Sequence, residues 1–189
     1  AYTVANILDH ETAAETLGRT AWFLPTEDEW YKAAYHKNDG VTGNYYDYPT
    51  GTDAMPSNDL ITPDPGSNAN FEPSCYDYTI DSPYFRTEVG EFENSQSPYE
   101  TFDQGGNLHE WNETLISSSR GLRGGAWSSG SLHLEASCRN YYDPTNDHDS
   151  IGFRVASSHA VPEPTSLATL GGLLGMGLIG CGWRRRWKR

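Results

Sequence analysis

The 189-residue sequence predicts a loop-rich fold of one well-signalled helix and a few short strands, closed around large rings and followed by a membrane-spanning tail. Three observations lead there. Aromatic residues make up 13% of the chain, too many for disorder and enough to build a core with few aliphatic residues. Helical periodicity is strong over one short segment only. The last quarter of the chain holds a long uncharged apolar run with a basic end.

Taken in order, residues 8–17 read as a short helix stopped by Gly18. Residues 20–24 (Thr-Ala-Trp-Phe-Leu) read as a buried strand. Thr26 then caps a helix over about 27–36. Glu29 stands three residues on, as a capping box requires, and Glu27 and Asp28 suit the positive end of the helix dipole. Trp30, Ala33 and Ala34 give that helix one apolar face. From Lys37 to about Tyr99 periodicity disappears. Gly, Pro, Asn and Asp interrupt the chain every few residues. So long an irregular stretch points to a functional or metal-bound loop, and its tyrosines (45–48, 76–78) indicate that it packs. Two short glycine-bounded strands are expected within 120–127 and 151–155.

Charge is unevenly placed. The chain carries 13 basic and 26 acidic side chains, and five of the basic ones lie in the last six positions. The rest has 8 basic against 26 acidic, a net of −18. Nucleic acid is excluded as a partner, because phosphate binding needs a basic footprint. The carboxylates suit either divalent cations or plain solubility, and both readings stay open. Of three cysteines, Cys181 lies in the apolar tail. Cys75 and Cys138 are then either a disulfide, in an oxidising compartment, or two free thiols.

Pro164 to Trp183 contains no charge, and about 20 apolar residues cross a hydrocarbon core of about 30 Å. We assign the transmembrane segment to 166–183, the linker to 158–165 and a basic cytoplasmic tail to 184–189. Trp183 and Trp187 fit an interfacial belt, and the Arg/Lys cluster orients the body outward. Val161, Pro162, Glu163 and Pro164 precede the span. This motif, the apolar run and the terminal arginines together resemble the PEP-CTERM sorting signal. The resemblance implies export, recognition by an exosortase, cleavage near Pro-Glu-Pro, and release to the bacterial surface or extracellular matrix. The chain opens with Ala1 and shows no basic-plus-apolar leader. Since such a tail implies export, further sequence is expected upstream.

Four signatures stand in order within 1–157: Phe23-Leu24-Pro25-Thr26-Glu27-Asp28-Glu29-Trp30, Gly105-Gly106-Asn107-Leu108-His109-Glu110-Trp111, Leu122-Arg123-Gly124-Gly125-Ala126-Trp127 and Ile151-Gly152-Phe153-Arg154. Together they resemble the formylglycine-generating-enzyme (sulfatase-modifying factor) family. The resemblance implies an α+β, C-type-lectin-like fold with little regular secondary structure and with structural calcium. It places one calcium site at Asn70, the Phe71 carbonyl, Asp81 and the carbonyl near Pro83. It places the other at Asp103, the carbonyls of Gly106 and Leu108, and Glu110. Calcium takes six to eight oxygens, so mixed carbonyl and carboxylate sets suit it. The second set lies within eight residues and is the stronger candidate. The alternative is that Asp103 and Glu110 are solvated loop acids.

In that family a cysteine pair between the Arg-Gly-Gly and Gly-Phe-Arg motifs binds copper(I), a soft ion that wants thiolates. The positions that match the pair here are Ser129 and Leu134. Cys138 is the interval's one cysteine. We therefore expect no copper and no formylglycine chemistry. His109-Glu110 is not a zinc-binding pair, because Glu113 stands where a second histidine is needed. The six histidines show no ligand spacing, and Arg123, Arg139 and Arg154 are expected to hold loops. The leading reading is a non-catalytic, calcium-stabilised surface domain that binds a glycan or a matrix protein, with Tyr84, Trp127, Tyr141 and Tyr142 as a candidate aromatic surface. The alternatives are an oxidoreductase related to formylglycine generators acting on an unknown substrate, and a structural matrix component.

Overall fold

The computed structural model describes residues 22–157. Within them, Phe23–Ala156 form one compact unit. The expected helix at 8–17, the linker, the sorting motif and the span at 166–183 lie outside the described residues. Among the described residues no helix is long and apolar enough to cross a membrane.

β1 (Trp22–Phe23) pairs with β6 (Ala156–Ser157) in a two-stranded ladder. Trp22 is 60% exposed, so the expected buried strand is a short, open one. Helix α1 (Glu27–Tyr35) follows, with both halves of its capping box in place. The Thr26 hydroxyl accepts from the Glu29 N–H, and the Glu29 carboxylate accepts from the Thr26 N–H at 2.8 Å. Trp30, Ala34 and Tyr35 are buried, with Tyr31 and Ala136 packed against them.

A second sheet has the order β4-β3-β2-β5. Its strands are β2 (His109–Ile116), β3 (Ser119–Arg123), β4 (Asn140–Tyr142) and β5 (Ile151–Gly152). β2 runs antiparallel to β3, with Glu110 opposite Arg123, and parallel to β5, with His109 opposite Ile151. β2 escaped the sequence reading for a physical reason. Its buried positions are Glu110 and Asn112, so the alternation that marks a strand is polar on the inside.

Between α1 and β2 the chain is irregular, held by isolated bridges such as Ser57 to Asn68 and Asn70 to Gly106. It is packed all the same. Tyr48, Ala69 and Phe71 form a second core cluster with Leu134, which lies in a 3-10 turn (Ser131–Leu134). The Tyr35 hydroxyl, donating to the Leu134 carbonyl at 3.0 Å, ties the two clusters together.

Candidate functional site

The sheet and α1 meet at Glu110. Its carboxylate accepts two bonds from Arg154, Nε to Oε2 at 2.5 Å and Nη2 to Oε1 at 2.7 Å. The Trp30 indole N–H donates to Oε2 at 2.6 Å. Both oxygens are thus spent on protein donors. Glu27 is clamped in the same way, by Arg123 at 2.7 Å and Arg139 at 2.5 Å. Arg123 also donates to the carbonyls of Ala136 and Cys138, and Arg154 to that of Phe102. Planar forks held in this way by carboxylates and carbonyls order the loops they join.

Asn70 is the node of the irregular segment. It is 1% exposed. Its side-chain amide donates to the Phe85 carbonyl at 2.9 Å and to the Asn107 side-chain oxygen at 3.2 Å. Its own side-chain oxygen, Oδ1, has no partner among the described residues, and neither has the buried hydroxyl of Thr87. An orphaned buried acceptor costs about 1–3 kcal/mol unless a water or an ion satisfies it. The Asp81 carbonyl accepts from the Phe85 N–H, which brings the 81–85 turn to Asn70. Asp81 is exposed. The Phe71 carbonyl accepts only a long bond from the Thr79 hydroxyl, at 3.5 Å.

The second expected calcium set looks different. Asp103 accepts from the Gly90 N–H at 2.6 Å, and burial raises its pKa against that bond and the charge of Arg154. Gly106 packs against Asn70 so closely that a Cβ there would overlap the Asn70 carbonyl. Glu110, as described, is already committed. Among the described residues, no three His, Cys, Asp or Glu side chains gather in a metal-holding group.

Between β3 and β4 the 3-10 turn assembles side chains that the sequence kept apart. The Ser129 hydroxyl accepts from the Ala126 N–H at 3.0 Å and lies 3.4 Å from His109 Nε2. The His109 and His133 rings meet edge to face at 6.2 Å. Cys138 Sγ lies 3.7 Å from His133 Nδ1. Burial, and then the neighbouring His133 and His148, depress the His109 pKa to about 4. Burial raises that of the Cys138 thiol, although Arg123 opposes the shift. Cys75 is exposed and Cys138 part-buried, and both are free, so the candidate disulfide is not formed.

The aromatic surface divides. Trp127 stacks on Phe85 at 4.5 Å and 18° and tilts against Tyr78 at 5.8 Å, which makes it packing. Tyr84 and Tyr141 are 74% and 61% exposed, while Tyr142 is half-buried against His148.

Residues 3–159 match the sulfatase-modifying factor enzyme 1-like domain. The chain belongs to that family. No curated protein matches it significantly. Solved structures similar to it include Treponema denticola variable protein 1, at 23% identity and a TM-score of 0.45, covering 71% of this chain and 46% of that one. CarF is similar at 21% and 0.47, with coverage of 71% and 46%. PvdO from Pseudomonas aeruginosa is similar at 19% and 0.46, with coverage of 80% and 59%. The chain thus spans about half the length of these proteins.

Within this sulfatase-modifying factor-like domain, Ser129 and Leu134 are the positions expected from sequence to match the family's copper ligands. The first is a hydroxyl committed to a turn. The second is an alkyl side chain with no exposure at all. Glu110 does not fit a calcium ligand as it stands. The unpaired Asn70 oxygen fits one. Cys138 lies five positions from His133, but His109 reaches Ser129 and His133 from strand β2, and nothing in its spacing announced that meeting.

Proposed function

We propose that this sulfatase-modifying factor-like domain is a non-catalytic, calcium-stabilised module of C-type-lectin-like fold. In this reading it is exported, sorted by an exosortase-type enzyme, and binds a glycan or protein at the bacterial surface or in the matrix. The observation that carries the reading is Leu134. A side chain buried among Tyr48, Ala69 and Phe71 stands where the family chemistry needs a thiolate. Linear two-coordinate copper(I) requires two soft donors, and neither Ser129 nor Leu134 supplies one. The test is incubation of the purified chain with copper and a sulfatase-type cysteine peptide. No aldehyde is expected, and aldehyde formed at a catalytic rate would refute the reading.

Calcium at Asn70, Phe71 and Asp81 is supported by the orphaned Asn70 oxygen. The bound ion would neutralise carboxylate charge and satisfy buried oxygens, holding the irregular segment in place. Asn70→Ala removes the oxygen at issue and should abolish any calcium-dependent rise in Tm. Export and sorting are supported by the motif and tail in the sequence alone. In an exosortase-bearing host, replacing Pro162, Glu163 and Pro164 with alanine should leave the chain uncleaved in the membrane fraction, seen by its mass.

The related-oxidoreductase reading has one specific observation in its favour, Cys138 Sγ beside His133 Nδ1. Copper bound stoichiometrically, and lost in Cys138→Ser, would favour it.

A further inference from the structure

We propose that the cavity walled by β2, β5 and the loop joining β4 to β5 is a saccharide-binding site, with Trp111 as the stacking floor and Asn146 and Asp147 as the hydroxyl-bonding groups. The proposal deepens the glycan-binding reading above and rests on it. The cavity is about 550 Å³ and is lined by Trp111, Pro144, Asn146, Asp147, His148, Asp149 and Ile151. That volume lies in the range of small-molecule sites, which combine an apolar wall with a few placed polar groups.

Three of the lining side chains are unspent while the loop backbone that carries two of them is held. Asp143 Oδ1 accepts from the Thr145 N–H at 2.9 Å and from its hydroxyl at 2.7 Å, and the Asp143 carbonyl accepts from the Asn146 N–H. At the other end of the loop Ser150 bonds to His148 Nδ1, and the Ile151 N–H donates to the His148 carbonyl. Yet the indole N–H of Trp111, the side-chain amide of Asn146 and the carboxylate of Asp147 have no partner among the described residues. Trp111 takes no part in the ring contacts that occupy Trp30 and Trp127. A half-buried tryptophan on a strand, facing a cavity with its N–H unpaired, offers both a flat apolar plate and a donor at its rim.

Charge selects the ligand class. Asp149 is met by Arg86, whose guanidinium lies 4.0 Å from its carboxylate and donates to its carbonyl at 2.5 Å, and by His148 at 3.5 Å. Asp147 is therefore the one uncompensated carboxylate. A single free carboxylate, one amide and one aromatic plate suit a neutral pyranose. Its apolar face would lie on the indole while adjacent hydroxyls bond to Asp147 and Asn146. A strongly cationic peptide would need more negative charge than this wall presents.

The test is binding of the full chain to arrayed neutral, acidic and amine-bearing glycans, with titration of the best neutral binder and, in parallel, of an oligo-arginine peptide. Trp111→Ala should weaken neutral-glycan binding at least thirtyfold, as loss of a central aromatic anchor does. Trp111→Phe should restore most of it. Asp147→Asn, on an exposed loop that cannot threaten folding, should cost about tenfold, the loss expected for a charged hydrogen bond of about 1.5 kcal/mol. Tyr141→Ala should bind as the unaltered chain does. Neutral-glycan binding that survives both Trp111→Ala and Asp147→Asn overturns this site and leaves the glycan reading standing. A blank array overturns both, and Trp111-dependent capture of oligo-arginine alone overturns the saccharide assignment.

Discussion

At the scale of single residues, two polar side chains, the buried Glu110 and the half-buried His109, bear on this domain's response to change. Glu110 receives Arg154 and Trp30 at 11% side-chain exposure. Breaking a buried pair from one side leaves a charge without compensation, which costs about 3–5 kcal/mol. Arg154→Ala is expected near the lower end, about 3 kcal/mol in urea denaturation. Arg154→Lys should recover only part, because a point charge cannot make both bonds. A loss below about 0.5 kcal/mol would mean that the pair behaves like a surface one. His109 governs acid sensitivity. Its folded pKa of about 4 lies below the value of 6.5 for a free imidazole. Between those values the unfolded chain takes up a proton that the folded chain refuses. Stability is therefore intact above about pH 6.5 and falls as the pH drops toward 4, by on the order of 3 kcal/mol. His109→Gln should flatten the melting temperature over that window, and an unchanged slope would assign the acid sensitivity elsewhere.

At the scale of elements, α1 was readable because everything that defines it is local. The cap, the acidic first turn and the burial of Trp30 and Ala34 follow from local spacing, while Tyr35 rather than Ala33 completes the buried face. Thr26→Ala removes one half of the capping box and is expected to cost about 1 kcal/mol, measured by thermal unfolding. β2 was not readable, because its inward residues are the polar Glu110 and Asn112. The partners of Glu110 lie on other elements, while Asn112 accepts from the Thr114 N–H of its own strand. Asn112 packs against Gly121 of β3 so tightly that a Cβ there would overlap its side-chain oxygen. The turn at Gly106 is equally constrained. Gly106 has φ +77 and lies against the Asn70 backbone, so Gly106→Ala combines backbone strain with a clash against main chain. Loss of soluble expression is expected, whereas Gly40→Ala, also at positive φ but with open space around it, should be tolerated at about 1 kcal/mol.

At the scale of the molecule, the irregular middle of the chain needs a reason to stay folded. It has few ladder hydrogen bonds and rests on rings and buried amides. Calcium at Asn70 would supply the missing cohesion. With free calcium at about a hundred times its dissociation constant, the domain should gain about 2.7 kcal/mol. Calorimetry with calcium, then with a chelator, reads this directly, and identical melting curves would refute the calcium reading. The magnitude should not depend on Glu110, whose oxygens belong to Arg154 and Trp30.

The linear chain alone carried the family's motifs, α1 and the acidic body, because each is written in neighbouring residues. Tertiary structure decided the rest. It committed Glu110 to an arginine, left the Asn70 oxygen unpaired and buried Leu134 among Tyr48, Ala69 and Phe71. It also seated Trp111 in a cavity under a loop that begins some thirty positions later. These outcomes depend on which distant groups meet in low-dielectric surroundings, and residue spacing carries no record of such meetings.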